Sequence, residues 1–337
     1  MTSRGKIALG TGISLIMICA GTSLGSSLIS PVDTLRVILF KAFNLPPQDA
    51  LDPKTIPIVW NLRFPRALLA FLAGGSLSVS GAVFQSVLKN QLASPYILGV
   101  SAGASLGAAL ILLTGFTLPF LGGFTLPATG FLAGLLTIFF VMSFSSRLDG
   151  NFSNNTIILF GMVFSLFINA LLTTLTALYR EEMRNLLFWQ MGSFSLKGWP
   201  YVGLMLPFLF LGSLGLFRYT REMDILTFGE EEALSLGVDA RKIRKKLLAA
   251  SAILTGGAVA LSGAIGFVDL IAPHLARRIV GSSHRYVLPM SFITGGTLLI
   301  VTDLVARTIV SPSELPVGAV TAIIGAPFFA WVYFKKR

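Results

Sequence analysis

The sequence predicts an all-α integral membrane protein with about ten transmembrane helices, on three observations. Only 12% of the 337 residues are charged and 54% are hydrophobic. A soluble domain carries about 25% charged residues, so polar groups here are too few to cover a water-facing surface. Apolar runs recur along the whole length, and a hydrocarbon core takes about 20 apolar residues per helix. The basic residues behind the net charge of +11 sit in short loops between those runs. That arrangement orients a membrane protein; no basic stretch carries the interleaved aromatics or fold motif that nucleic-acid binding requires.

In chain order, spans are expected near 7–28, 66–88, 94–114, 124–145, 155–178, 199–218, 243–263, 267–281, 287–306 and 316–334, with boundaries good to about four residues. They form one transmembrane domain over 1–337. It divides into a first span plus an outer Pro-rich segment (1–65), spans two to six (66–218), a cytoplasmic loop (219–242) and spans seven to ten (243–337). The start, with Arg4 and Lys6 before an apolar run, has the charge pattern of a signal peptide. The run is long and no small-residue cleavage site ends it, so it reads as a retained span. Its Cys19 is the single cysteine, which makes neither an intramolecular disulfide nor a metal cluster. The eighth span is short and holds His274, Arg277 and Arg278, so it must be buried among neighbouring helices that satisfy those groups.

Ten spans place both termini on one side. Most of the 26 Lys and Arg residues, from Arg4 and Lys6 through the cluster Arg241–Lys246 to Lys335, Lys336 and Arg337, then fall on that side. The smaller set is Arg36, Lys41, Lys54, Arg63, Arg66, Arg180, Arg184, Lys197 and Arg307. The bias puts both ends in the cytoplasm. Residues 29–62, with Pro31, Pro46, Pro47, Pro53 and Pro57, form an outer segment over the outer mouth. Glu181 to Phe194, carrying Trp189, reads as a half-buried interfacial helix. An echo between Ser80-Gly81-Ala82-Val83 and Ser262-Gly263-Ala264-Ile265, at the ends of the second and seventh spans, points to two inverted five-helix halves.

Five segments carry chemistry. Arg63-Phe64-Pro65-Arg66 opens span two, with Arg307 at the matching end of span nine. These arginines either snorkel to the interface or form a basic patch that grips acidic residues of a docking protein. Gln85 and then Asn90-Gln91-Leu92-Ala93-Ser94-Pro95 lead into span three. Pro95 suits a first helical turn with Ser94 near its cap, and Gly99, Ala102, Gly103 and Gly107 give a smooth face for close helix approach. In the loop Leu226–Arg241, Glu230, Glu231 and Glu232 match the positive end of a helix dipole. Gly237 terminates that helix and Asp239 caps the next. The reading is two short helices joined by a glycine, projecting Ala233, Leu234, Leu236 and Val238 either into a partner's groove or onto the membrane surface. The fourth segment runs from Gly263 through Asp269, Pro273, His274 and Arg277 to His284-Arg285 and Asp303. Intramembrane ionisable groups are costly and usually paired or functional. Asp303 and Arg307, four apart, can pair along one face. With two histidines in the chain and no cluster around it, His274 is not a metal ligand. The fifth is Glu314-Leu315-Pro316-Val317-Gly318, where Glu314 can favour the dipole of the final span, followed by Gly325-Ala326-Pro327-Phe328-Phe329.

Together these strings resemble the iron-siderophore and vitamin B12 permease family of ATP-binding-cassette importers, the type II importers. The similar strings are R-F-P-R at 63–66, G-A-V-F-Q at 81–85, N-Q-L-A-S-P at 90–95, L-G-V-S-A-G-A at 98–104, G-A-I-G-F at 263–267, A-P-H-L-A-R at 272–277, H-R at 284–285, E-L-P-V-G at 314–318 and G-A-P-F-F at 325–329. The resemblance covers nearly all of 60–334 in the family's order. It implies a homodimer or pseudodimer in a prokaryotic inner membrane, two cytoplasmic ATPase subunits that carry ATP and Mg, and an extracytoplasmic substrate-binding protein. It also implies coupling helices at 229–241 (Gly229, Glu230, Glu231, Ala233, Leu234, Leu236, Gly237, Arg241) and docking arginines at Arg63, Arg66 and Arg307. The pathway and its helix packing would involve Gln85, Asn90, Pro95, Gly99, Gly103, Asp269, Pro273, His274, Arg277, Glu314 and Pro316. The cargo of such a permease is a ferric siderophore, haem, cobalamin or a similar chelate or oxyanion.

The family usually has Asn-Pro-Leu at 90–92 and glycine at 269. Asp269 therefore either pairs locally, for instance with Arg277, or lines an aqueous cavity. The chain carries no Gly-x-x-x-x-Gly-Lys-Ser/Thr loop, so no ATP site or cofactor of its own is expected and it is not read as an enzyme. The main rival is an ion-coupled transporter using Asp269, Asp303 and His274 as a relay. An exporter and an intramembrane enzyme are weaker still, since no zinc signature or serine–histidine spacing supports the latter.

Overall fold

A 24-residue helix that is apolar on every side has nowhere to sit but the middle of a bundle. Phe64–Val87 is that helix, and nearly all of its side chains are buried. The structure, a computed structural model, describes residues 1–25, 28–44 and 52–334; Pro46, Pro47, Lys335, Lys336 and Arg337 lie outside the described residues. Among the described residues every regular element is helical.

The helices are α1 (Ser3–Ser23), α2 (Pro31–Phe43), α3 (Thr55–Pro57), α4 (Phe64–Val87), α5 (Val100–Thr114), α6 (Thr125–Leu148), α7 (Asn154–Leu178), α8 (Arg180–Gln190), α9 (Trp199–Phe217), α10 (Thr220–Leu226), α11 (Glu230–Ser235), α12 (Ala240–Ser262), α13 (Val268–Val280), α14 (His284–Thr308) and α15 (Val317–Phe334). A π-helical stretch, Ile58–Arg63, leads into α4, and a 3₁₀ turn, Pro95–Leu98, leads into α5. A helix lies at each of the ten expected places, with ends displaced by up to six residues, as for α5. Seven of the described helices are long and apolar enough to cross a membrane. The apolar helices α5 and α15 are shorter. α13, with 13 residues, rises only about 20 Å against a hydrocarbon core of about 30 Å.

α14 lies along α4, with α12, α13 and α9 completing the cage. Serine and threonine join the layers: Thr255 donates to Ser80 Oγ at 2.6 Å, and Ser80 donates to the Ser251 carbonyl at 3.0 Å. Gly81 lets α4 touch the backbone at Asp269, which an added Cβ would strike. α5 packs on α6 through the small-residue face expected from Gly103 and Gly107; side chains there would run into Thr137 and Ala133.

Within the Pro-rich segment 29–62 the chain forms α2. Ser30 caps it by accepting from Val32 N, and Pro31 occupies the first helical position, where its missing N–H costs nothing. The serine–glycine echo is corrected: it is not a repeat of conformation. Ser80–Val83 stays inside α4, whereas Gly263 ends α12 at φ +80°.

Candidate functional site

The bundle has two chemically different ends, and the loops sort between them as the charge count expects. Ser3 and Lys6 donate to the carbonyls of Val280 and Ile279, His284 meets Ser86, and Arg244 donates to the Phe152 carbonyl. The N-terminus and the turns after α4, α6, α9 and α13 therefore share one end, called the foot. Arg63, Arg66, Lys197, Arg307 and Glu314 share the other.

The foot is built on α11. Gly229 and Gly237, at φ +153° and +77°, free its two ends from its neighbours. Glu230 in the first turn pairs with Arg244, whose side chain is almost wholly buried and also donates to the Phe152 carbonyl. Asp239 caps α12 by accepting from Lys242 N at 3.0 Å, and that bond holds its carboxyl below the usual range. Ala233, expected to project, is instead buried, because it faces α10 and α12 as the inner residue of a six-residue helix. Leu234 and Leu236 do project, at 71% and 63% exposure, joined by Phe228 at 76%. Glu231 and Arg241 are exposed beside them and Val238 is half-buried.

A hydrogen-bonded line runs from this foot into the bundle. Asp224 on α10 accepts from His284 Nδ1 at 2.5 Å and from His284 N at 2.9 Å, and Ser283 donates to its other oxygen at 3.2 Å. With Nδ1–H given to Asp224, the His284 Nε2 accepts from Ser86 Oγ at 2.6 Å. Arg277 donates to Ser86 Oγ, to the Ala82 carbonyl at 3.0 Å and to Gln85 Oε1. Gln85 Nε2 reaches the carbonyls of Asp269 and Leu270 at 3.4 Å. The residue responsible is Pro273: lacking an N–H, it leaves the carbonyl four residues earlier, that of Asp269, without a helical donor. Asp269 itself accepts from Ser94 Oγ. Arg277 is thus not its partner, because Gln85, Ser86 and Ala82 already engage that guanidinium. Asp224, which the sequence reading missed, is marked only by its place in a short helix just before α11.

At the break between α12 and α13, Gly263 and Phe267 adopt φ +80° and +69°. Ser193 N donates to the Ser262 carbonyl at 2.8 Å, and Val317 N and Gly318 N donate to the carbonyls of Gly192 and Met191 at 3.1 Å. Pro316 stands at the start of α15 within this brace. The expected pathway residues therefore separate. Gln85, Asp269, Pro273 and Arg277 converge with Ser94 and Pro95, and His274 lies half-buried on α13. Gly99, the left-handed cap of α5, and Gly103 serve the α5–α6–α7 packing. Asn90 sits in a turn at the foot, where its side chain accepts from Leu92 N and its own N donates to the Gln85 carbonyl at 3.1 Å; its side chain does not join the others. Glu314 belongs to the opposite end.

That opposite end is a cavity of about 340 Å³ lined by Arg63, Arg66, Lys197, Arg307 and Glu314. The arginines form its wall and not a projecting patch: each is under 10% exposed. Arg66 meets Asp303 through Nε and Nη2 at 3.0 and 2.9 Å and Glu314 through Nη1 and Nη2 at 2.8 and 3.0 Å. Arg307 stands 3.8 Å from Asp303 and donates to the Gly21 carbonyl. Arg63 donates to the Ser23 carbonyl at 2.8 Å. Glu314 is thus an ion-pair partner and not the dipole ligand expected. Burial pushes its carboxyl up, but the Arg66 bonds prevail and hold it below the usual range. Burial lowers Lys197 to about 8.

A polar stripe on α7 was also missed. Asn169 and Thr173 are exposed on the long, mostly apolar helix α7 and line a hollow with Arg180 and Gln190. The sequence signal was Asn169 within a run of apolar residues.

The comparisons with known proteins agree with one another. The model of the FecCD transport family matches residues 13–335. An uncharacterized ABC transporter permease of Bacillus subtilis is 41% identical over 98% of this chain and 93% of its own length. A cobalamin import system permease of Halobacterium salinarum is 38% identical over 86% of this chain and 77% of its own. A solved structure described as a metal-chelate type ABC transporter in an inward-facing conformation superposes with a TM-score of 0.85 at 30% identity, covering 98% of both chains.

Proposed function

We propose, on the premise that the chain belongs to the FecCD transport family, that it is the membrane-spanning permease subunit of a binding-protein-dependent ABC importer. The cargo class is a metal chelate or related nutrient. Cobalamin is the cargo named for the Halobacterium relative, and ferric siderophore, haem or an oxyanion are the other members of the class. The working unit is two copies of the chain, two cytoplasmic ATPase subunits that hold ATP and Mg, and an extracytoplasmic binding protein. The chain sits in the inner membrane with both termini in the cytoplasm and performs no catalysis itself.

The observation that carries this reading is the foot: Phe228, Leu234 and Leu236 exposed on and beside a short helix whose base is fixed by Glu230 and Arg244. An exposed apolar projection at the basic end suits a groove on a cytoplasmic partner. Closure of the ATPases then pushes α11 and α10. Asp224, His284, Ser86, Arg277 and Gln85 link α10 to the α12–α13 break. The Asn169–Thr173 stripe supports a second copy across α7, because a bare amide facing lipid is costly. At the far end, Arg63, Arg66 and Arg307 give a binding protein's carboxylates a basic cavity to enter, where they would compete with Asp303 and Glu314.

The ion-coupled reading loses ground because Asp303, one member of the relay it needs, is locked in a buried ion pair with Arg66. The deciding experiment reconstitutes the complex in liposomes and measures binding-protein-stimulated ATP hydrolysis. Leu234→Asp with Leu236→Asp is expected to lower stimulation at least about tenfold, the loss of roughly 1.4 kcal/mol of contact. Full stimulation in that variant sinks the coupling assignment.

A further inference from the structure

Two cations with no counter-ion among the described residues close one end of an apolar slot on the lipid-facing side of the bundle. The slot, of about 540 Å³, lies between α1, α13 and α14. Its walls are apolar: Leu9 and Ile13 from α1, and Met290, Ile293 and Val301 from α14. Thr294 and Thr297 also line it, but each hydroxyl is spent on a carbonyl of its own helix. From Met290 to Val301 the wall runs about 16 Å along the helix axis. Gly10 forms the floor, where an added Cβ would stand 3.2 Å from Ile293 Cγ2.

The mouth is Lys6 and Arg278. Lys6 Nζ donates to the Ile279 carbonyl at 2.5 Å, which anchors it without neutralising it. Arg278 is exposed and makes no hydrogen bond or ion pair among the described residues. Arg278 differs in this from Arg66, Arg244 and Arg307, each of which meets a carboxylate of this chain. An apolar slot the depth of half a bilayer, capped by two uncompensated cations at the basic end of the bundle, is complementary to one amphiphile: an acyl chain below a phosphate. Basic pockets between transmembrane helices on the cytoplasmic side are places where anionic headgroups are held.

We propose that this slot binds an anionic phospholipid, with an acyl chain lying along α1 and α14 and the phosphate between Lys6 and Arg278. The site needs only that the chain spans a membrane, so it stands or falls apart from the importer reading. The two thiol-free, carboxylate-free walls leave the headgroup charge as the selecting element.

The test is native mass spectrometry of the full-length chain in detergent, with equimolar phosphatidylglycerol and phosphatidylcholine of identical acyl chains. Phosphatidylglycerol is expected to be retained about tenfold over phosphatidylcholine, the order that two cations near a headgroup supply. The preference should fall toward parity in about 1 M salt. Lys6→Gln with Arg278→Gln should abolish it, Lys6→Arg with Arg278→Lys should keep it, and Arg147→Gln, an exposed basic residue elsewhere at the foot, should leave it unchanged. Equal retention of the two lipids by the unaltered chain overturns the proposal, as does a preference that survives the double glutamine substitution or high salt. The salt series needs no variant to fold.

Discussion

The two ends of the bundle each bury arginine against carboxylate, but in different architectures. At the foot, Arg244 is inside and Glu230 is about half exposed, so the pair fastens one small helix to the bundle and leaves its apolar side chains out. At the far end, Asp303 is 2% exposed and stands between Arg66 and Arg307, joining α4 to α14 and, through Glu314, to the strand of chain before α15. One pair is a rivet holding a projection. The other is a junction on which three segments depend. A charge that serves several segments at once is harder to remove than one that serves a single helix.

That contrast is open to measurement by thermal unfolding of purified variants. The largest effect is expected for Asp303→Asn, which takes from Arg307 its carboxylate partner and from Arg66 one of its two. Breaking a buried pair by removing one member costs about 3–5 kcal/mol, and a loss below about 1 kcal/mol would show that water reaches the junction. Next is Arg244→Met, which gives up hydrogen bonds to Glu230 and to the Phe152 carbonyl; bonds to charged groups are worth about 1.5–3 kcal/mol. A loss as large as that of Asp303→Asn would erase the distinction between rivet and junction.

Smaller still is Glu314→Gln, since the Glu314 side chain is 36% exposed; under about 1 kcal/mol is expected. The sign with pH follows from its folded carboxyl lying below the usual value of 4.5. Between the two values the unfolded chain binds more protons, so this stability is complete above the unfolded value and fades as pH falls through the folded one. A pH series from 6 down to 3 should show a shallower decline in the glutamine variant. Last, Leu236→Asp should change stability by no more than about 0.5 kcal/mol, as surface substitutions do, while removing ATPase coupling. A large stability loss there would mean the leucine is not free in the folded chain.

How much was legible beforehand depended on the range of the interaction. Helices were placed within a few residues because apolar runs and their caps are local: Ser94 before Pro95, Asp239 before Ala240, Gly237 at positive φ. The glycine face of α5 was legible too, since Gly103 and Gly107 lie one turn apart. α2 was hidden because Pro31 reads as a breaker unless Ser30 is recognised as its cap. The partners of Arg66 were out of reach, being Asp303 and Glu314, well over two hundred residues away. Asp224 escaped for the same reason: nothing near it in sequence announces His284, and the pairing exists only once α10 folds under α14. The buried state of Arg63, Arg66 and Arg307 was likewise invisible, because a charge at a span end looks the same whether it points at water or at a carboxylate.

The backbone brace around the α12–α13 break carries a consequence of its own. Peptide groups of 191–193, 262 and 317–318 are knitted across three separate stretches of chain. A knot of main-chain links cannot yield one strand at a time without leaving donors bare. Whatever moves the tail of α12 must therefore carry residues 191–193 and the root of α15 along as a single block.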